Sequence, residues 1–199
     1  MLFAADLATI VQNTLQDPEL LRTTPETMLR HLSRAQQWVA LRYRLLRHTY
    51  PLPLVANAPF VDLFPLIPRL IVVTHVASDT GVRLYPFSLG RLRLSNPSWI
   101  ATSGTPQGYY RIGWRYLGLY PVSLTEATYQ VTALILPPAF QTLTDVVSVP
   151  EAFTPQVAKI ASGLLTIGQS RRYQEGLAML RDALAVTAPA TQGGDPRAA

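Results

Sequence analysis

Cysteine is absent from this 199-residue chain. Disulfides and thiolate metal sites are thereby excluded, and the fold has to rest on burial, aided by whatever subunit contacts it makes. Lysine is almost absent as well: Lys159 stands alone, and every other basic residue is arginine. Histidine occurs only as His31, His48 and His75, none with a carboxylate or second histidine at ligand spacing; His75, in an apolar stretch, reads as a sheet residue. No long hydrophobic run is present, because Pro65, Pro68, Pro137 and Pro138 break the apolar stretches well short of the ~20 residues a membrane helix needs. The opening MLFAADLA has no basic stretch and meets Asp6 at once, so no signal peptide is expected. Nucleophile-elbow, Walker A and dinucleotide fingerprints are missing too. The run SGTPQG lacks the lysine and the following helix of a phosphate loop, and reads as a turn entering a hairpin. No catalytic, cofactor-binding or metal-binding residues are expected, and the chain is not read as an enzyme.

What is present is apolar bulk: 48% hydrophobic residues against 15% charged. That suffices for one core, or for a core with a small inserted subdomain. Seventeen prolines, most of them between residues 50 and 155, favour short strands and stiff loops there. Positive charge is concentrated. From Arg30 to Arg115 eleven arginines face only Asp62 and Asp79, whereas residues 1–29 and 116–199 are net acidic. Arginine suits protein interfaces as well as phosphates; a bias in coding composition would also enrich it.

Periodicity divides the chain into three zones. Leu7, Ile10, Val11 and Leu15 lie at helical spacing in residues 4–16, and Asp17-Pro18 is expected to end that helix. Thr24-Pro25-Glu26 opens a second helix, with Thr24 as N-cap and Pro25 in its first position, expected to reach about Arg47. Met28, Leu32, Ala35, Val39, Tyr43 and Leu46 form its core stripe. Trp38, Leu41 and Leu45 form a second apolar stripe beside Arg30, Arg34 and Arg44. A helix with two apolar stripes is either sandwiched inside its own domain or shared with a neighbouring subunit, and arginine at the margin favours an interface rim. These six residues are the candidate subunit contact.

Residues 50–145 read as an inserted β subdomain. RLIVVTHVA, residues 69–77, is apolar on both faces and predicts a central strand, returned by a turn at Asp79-Thr80-Gly81. Residues 88–94 fit a short helix or an edge strand, and residues 128–136 a further strand. Thr154-Pro155 repeats the cap-plus-proline signature. It opens a helix in which Gly163 and Gly168 permit close helix approach or end the segment, and residues 171–186 form another amphipathic helix. The fold class expected is α+β: a bundle of N- and C-terminal helices (residues 1–49 and 146–187) with an inserted antiparallel β-sandwich or barrel-like subdomain. A flexible tail is expected from residue 188.

YYRIGWRYLGLYP, residues 109–121, interleaves aromatics with arginines and raises nucleic-acid binding through the region from Arg83 to Arg115. Base stacking requires those aromatics on one exposed face. With Gly113-Trp114-Arg115 as a three-residue turn, Tyr110, Ile112, Tyr116, Gly118 and Tyr120 line one face, and Tyr109, Arg111, Leu117 and Leu119 the other. Tyr110 then falls opposite Gly118, whose missing side chain a ring can cover. This favours a packed hairpin, with Trp114 and Arg115 left at the turn as candidate partner contacts.

The order of these features resembles the adaptor, or head-to-tail connector, proteins of tailed bacteriophages, including the tail tubular A type. The resemblance lies in TTPETMLRHLSRAQQWV with Leu29, Leu32, Ala35 and Gln36; in Gly104-Thr105-Pro106 with Tyr109 and Tyr110; and in Gly113 followed by Leu117-Gly118-Leu119-Tyr120-Pro121. It continues through TYQVTALILPP, VPEAFTPQV and the alanine- and leucine-rich terminal helices. Ser33-Arg34 departs from the asparagine and glutamate common at that place. The resemblance implies a structural protein without cofactors that forms a homo-oligomeric ring, commonly of twelve subunits. That ring stacks below the portal and carries the tail or a further neck protein. DNA passes through its lumen with only transient contact, and no membrane is involved. It also implies residence in the virion neck after assembly in the host cytoplasm.

Overall fold

The computed structural model describes residues 1–15, 23–168 and 172–185. The expected helix stop at Asp17-Pro18, the start of the last helix at Arg171 and the C-terminal tail lie outside the described residues. The class is α+β, with five α-helices and two sheets among the described residues, and the chain divides into two compact units, Met1–Leu45 with Pro137–Ala199, and Leu46–Leu136.

The first unit holds α1 (Ala4–Leu15), α2 (Pro25–Tyr43), α4 (Thr154–Ile167) and α5 (Tyr173–Ala185); α4 packs against each of the other three. Helix α2 begins as its sequence dictates. The Thr24 hydroxyl accepts the Thr27 N–H and Pro25 occupies the first position, satisfying donors that have no partner inside the helix. It ends earlier than expected. Arg44 adopts a left-handed conformation (φ 52°) and its N–H and that of Leu45 close onto Leu41 and Ala40 carbonyls. This is the cap usually formed by glycine or asparagine, so an arginine in that role hid the boundary. Leu46 consequently leaves the expected core stripe of α2, and Arg47 begins a strand.

Helix α4 also starts differently. A 3₁₀ turn, Glu151–Phe153, feeds straight into it, so Thr154 is already helical and makes no side-chain cap. Close approach at Gly163 agrees with expectation: a Cβ there would press on Leu180 at 3.0 Å, and in α5 one on Gly176 would meet the Ile167 nitrogen at 2.7 Å. Both glycines therefore let α4 and α5 approach closely. Residues 137–145, read as part of the β region, contain no strand of their own, and together with Ser148 they are tied to α2. The Gln36 side chain donates to Pro138 O (3.4 Å) and accepts from Ser148 N–H (2.8 Å), and Gln37 donates to Pro137 O (3.4 Å). The Ser33 hydroxyl accepts the Phe140 N–H at 2.8 Å and donates to Leu29 O at 2.7 Å. Ser33 thus has a structural task at the place where the sequence departs from the adaptor pattern.

The second unit is built on two sheets. One is ordered β1 (Arg47–Leu54), β7 (Ala127–Ile135), β3 (Leu70–Ser78). The other is ordered β2 (Val61–Asp62), β6 (Tyr116–Tyr120), β5 (Gly108–Ile112), β4 (Tyr85–Pro86). Leu52, Val76 and Val131 from the first sheet and Tyr109, Leu117 and Leu119 from the second share one core. The central strand of the first sheet is β7, not β3. Two register shifts interrupt β3, and a bulged strand loses strict alternation. The two-faced apolar pattern of residues 69–77 therefore reports bulges, not burial on both sides. After the turn at Gly81 (φ +83°) the chain returns only as an isolated bridge, Ala77 to Arg83, before joining the other sheet. There β4 pairs with β5 in parallel, so the expected all-antiparallel arrangement fails at that edge.

Strand β1 carries Pro51 and Pro53, neither of which can donate a ladder hydrogen bond. It is an edge strand. Ile135 N–H bonds Leu46 O, and the register pairs Leu52 with Tyr129. Residues of odd number therefore turn their backbone groups away from β7, where a proline costs no ladder bond and blunts the edge against stray pairing. Residues 88–94 resolve as helix α3 (Leu89–Ser95). With the 3₁₀ turn Trp99–Ala101 it brings Leu92 and Trp99 onto Tyr110.

Candidate functional site

The β5–β6 hairpin has the register its sequence predicts: Ile112 opposite Tyr116, and Tyr110 opposite Gly118. The Tyr110 ring occupies the space a Gly118 side chain would take, and its hydroxyl donates to Pro59 O. Burial raises the Tyr110 phenol to about 12. Trp99 stands edge-on to Tyr110 at 4.9 Å, while Tyr109 enters the inter-sheet core. Both tyrosines and Trp99 are buried and present no ring to a nucleobase; a stacking platform needs exposed rings. Arg83, Arg91, Arg93 and Arg111 remain exposed.

The tip of that hairpin is different. Val61–Asp62 pairs with Tyr116–Leu117, and Leu63 N–H bonds Arg115 O at 2.8 Å. Three cross-strand pairs result: Phe60 edge-on to Tyr116 at 5.5 Å, Asp62 bonded to Arg115 at 2.6 Å, and Phe64 edge-on to Trp114 at 5.7 Å. The Arg115 guanidinium also lies 5.2 Å from the Tyr116 ring centre. Its hydrogen bond to Asp62 holds that carboxyl below the ordinary range. Phe64 and Trp114 are each 61% exposed, a degree of aromatic exposure that is unusual outside contact sites. Trp114 and Arg115 are candidates from the sequence, whereas Phe60, Asp62 and Phe64, which the structure places beside them, are not. Their alternation in FVDLF was the available signal.

In the helical unit, Arg30, Arg34, Trp38 and Leu41 recur at spacings of four, four and three, and so share one stripe of α2. All four are exposed, Trp38 by 42% and Leu41 by 47%, and among the described residues neither Arg30 nor Arg34 has an ion pair. Arg44 and Leu45 lie past the last turn, Arg44 exposed as the left-handed cap and Leu45 half-buried. Four of the six candidate contact residues are thus brought together on α2, and two flank its end. Beside the stripe runs an open groove of about 560 Å³, lined by Leu29, Arg30, Ser33, Arg34, Ala139 and Phe140. His31, between the two arginines, is held below the ordinary imidazole range, first by burial and then by Arg30 and Arg34. Protonation there would add a third cation.

Among the described residues no group of three or more His, Cys, Asp or Glu side chains is placed to hold a metal ion, and no helix is long and apolar enough to cross a membrane. What the two surfaces offer chemically is exposed aromatic and aliphatic area edged by arginine, the composition of a protein contact. No curated protein matches the chain. The family model described as SU10 adaptor protein matches residues 3–196, nearly the whole chain, in agreement with the resemblance carried by the helix start, the G-x-P segment and the L-x-L-Y-P strand. The chain belongs to the SU10 adaptor protein family, a family of phage head–tail adaptors, which are structural proteins.

Proposed function

We propose that the chain is a neck adaptor that closes into a ring, of about twelve copies by analogy with its family, between the portal and the tail or a further neck protein. DNA passes through the lumen with transient, non-specific contact, because a tight grip would oppose transit. Assembly takes place in the host cytoplasm and the ring stays in the virion neck. The helical unit forms the body of each subunit of the ring. The observation that carries this reading is the exposed stripe of Arg30, Arg34, Trp38 and Leu41 on α2. An isolated protein rarely leaves a tryptophan and a leucine exposed beside unpaired arginines on one helix face, whereas an interface core with an arginine rim has that composition. Arg44 and Leu45 flank the same contact. Trp114, held in place by Phe64 and by the Asp62–Arg115 pair, meets a neighbouring protein of the neck.

The test is the mass of the purified chain, alone and mixed with its portal. A ring in either sample is the expected result, since a portal can act as template. A chain that stays monomeric and ignores the portal would overturn the reading.

A further inference from the structure

The ring reading leaves open what receives the α2 stripe, and the same unit carries a surface shaped for it. Helices α1, α4 and α5 leave a cleft of about 310 Å³ between them, lined by the apolar Ile10, Pro155, Ala158 and Met179 together with Thr14, Lys159 and Ser162, a space on the scale of one aromatic side chain. Ile10 is 36% exposed at its mouth. Three residues beyond Met179 stands Asp182, whose side chain is 70% exposed and, among the described residues, is paired only with Lys159 at 3.6 Å. Across the unit, Trp38 projects from α2 with Arg34 one turn before it, and among the described residues Arg34 has no ion-pair partner.

We propose that Trp38 of one copy fills the α1–α4–α5 cleft of the next copy, with Arg34 meeting the neighbour's exposed Asp182 at the rim. Plug and socket are different patches of one chain, so the contact is head-to-tail, the kind that closes into a ring when the rotation permits. Size, apolarity and charge agree: the exposed Trp38 matches a largely apolar cleft, and a guanidinium with no ion pair among the described residues matches a weakly held carboxylate. An aromatic anchor seated in a pocket is the usual energetic centre of such a contact. The inference rests on the ring reading and names both of its faces.

Charge exchange tests it on the full chain with its portal. Arg34→Glu and Asp182→Arg should each weaken assembly by at least about tenfold, and the double variant Arg34→Glu/Asp182→Arg should recover most of that loss. Met179→Trp, which fills the cleft without changing charge, should block assembly. Unchanged melting temperatures would show that the variants fold, since the exposed Lys159–Asp182 pair contributes little. If Asp182→Arg and Met179→Trp assemble normally, or the double variant is as weak as Arg34→Glu alone, the cleft is not the socket, although the ring stands. A wild-type chain that remains monomeric with and without portal would overturn the ring itself, and this contact with it.

Discussion

The chain exposes two tryptophans, Trp38 and Trp114, each beside arginine, and their surroundings differ in one respect. At the hairpin tip the arginine is engaged. Arg115 bonds Asp62 at 2.6 Å, and aromatic pairs on either side hold the patch in one shape. On α2 the arginines are free, with Arg30 and Arg34 unpaired among the described residues and pressing on His31. A patch whose charge is satisfied internally can rely on shape and apolar area, which suits docking onto a partner that already exists. A patch with unmatched cations needs a partner that brings carboxylates, as the next copy of the chain can.

That contrast can be broken by substitution. The largest effect is expected from Trp38→Ser combined with Leu41→Ser. Self-assembly on the portal should weaken by roughly a hundredfold or more, as loss of a central aromatic anchor does, while the monomer's melting temperature stays unchanged because both side chains are exposed. Sedimentation reads both. Gly118→Val should destabilise the β unit by about 3 kcal/mol, since the new side chain collides with Tyr110 and the Pro59 carbonyl in a packed site. Urea unfolding followed by tyrosine absorbance would show it. Trp114→Ala should leave the ring intact and weaken docking of the neighbouring neck protein by about thirtyfold, the loss typical of one hot-spot aromatic. Equal damage to the ring would erase the distinction between the two patches.

The smallest effect concerns His31. Its folded pKa lies below the ordinary 6.5, so between those two values the unfolded chain binds a proton that the folded chain refuses. The corresponding stability is complete above about pH 6.5 and is lost as pH falls through the folded pKa. His31→Gln should flatten that acid limb in a series of thermal melts and leave stability above pH 7 nearly unchanged.

How much of this was legible in the sequence differs by element. The start of α2 was, because Thr24 and Pro25 act within a few residues of the bonds they make. The hairpin register was, because Gly113 and the aromatic parity on either side constrain each other locally. The end of α2 was not: Arg44 adopts a backbone conformation that its side chain does not advertise. Strand order was not legible either, since β3 and β7 have similar apolar content and only the bulges set them apart. The clasp formed by Ser33, Gln36 and Gln37 depends on residues about a hundred positions away, a separation that no local pattern encodes. On the candidate surface, helical periodicity grouped Arg30, Arg34, Trp38 and Leu41 correctly, and placed Arg44 and Leu45 with them only by running the helix too far.

The central claim is that the exposed stripe of α2 becomes buried when the chain assembles. The natural chain has no cysteine, so a single thiol introduced as Leu41→Cys reports on that stripe alone. Maleimide labelling of this variant, free and assembled on the portal, is the most direct measurement. The account predicts rapid labelling of the free chain and at least tenfold slower labelling of the assembly, roughly as expected for a side chain at an interface core. Equal rates in the two states would contradict it.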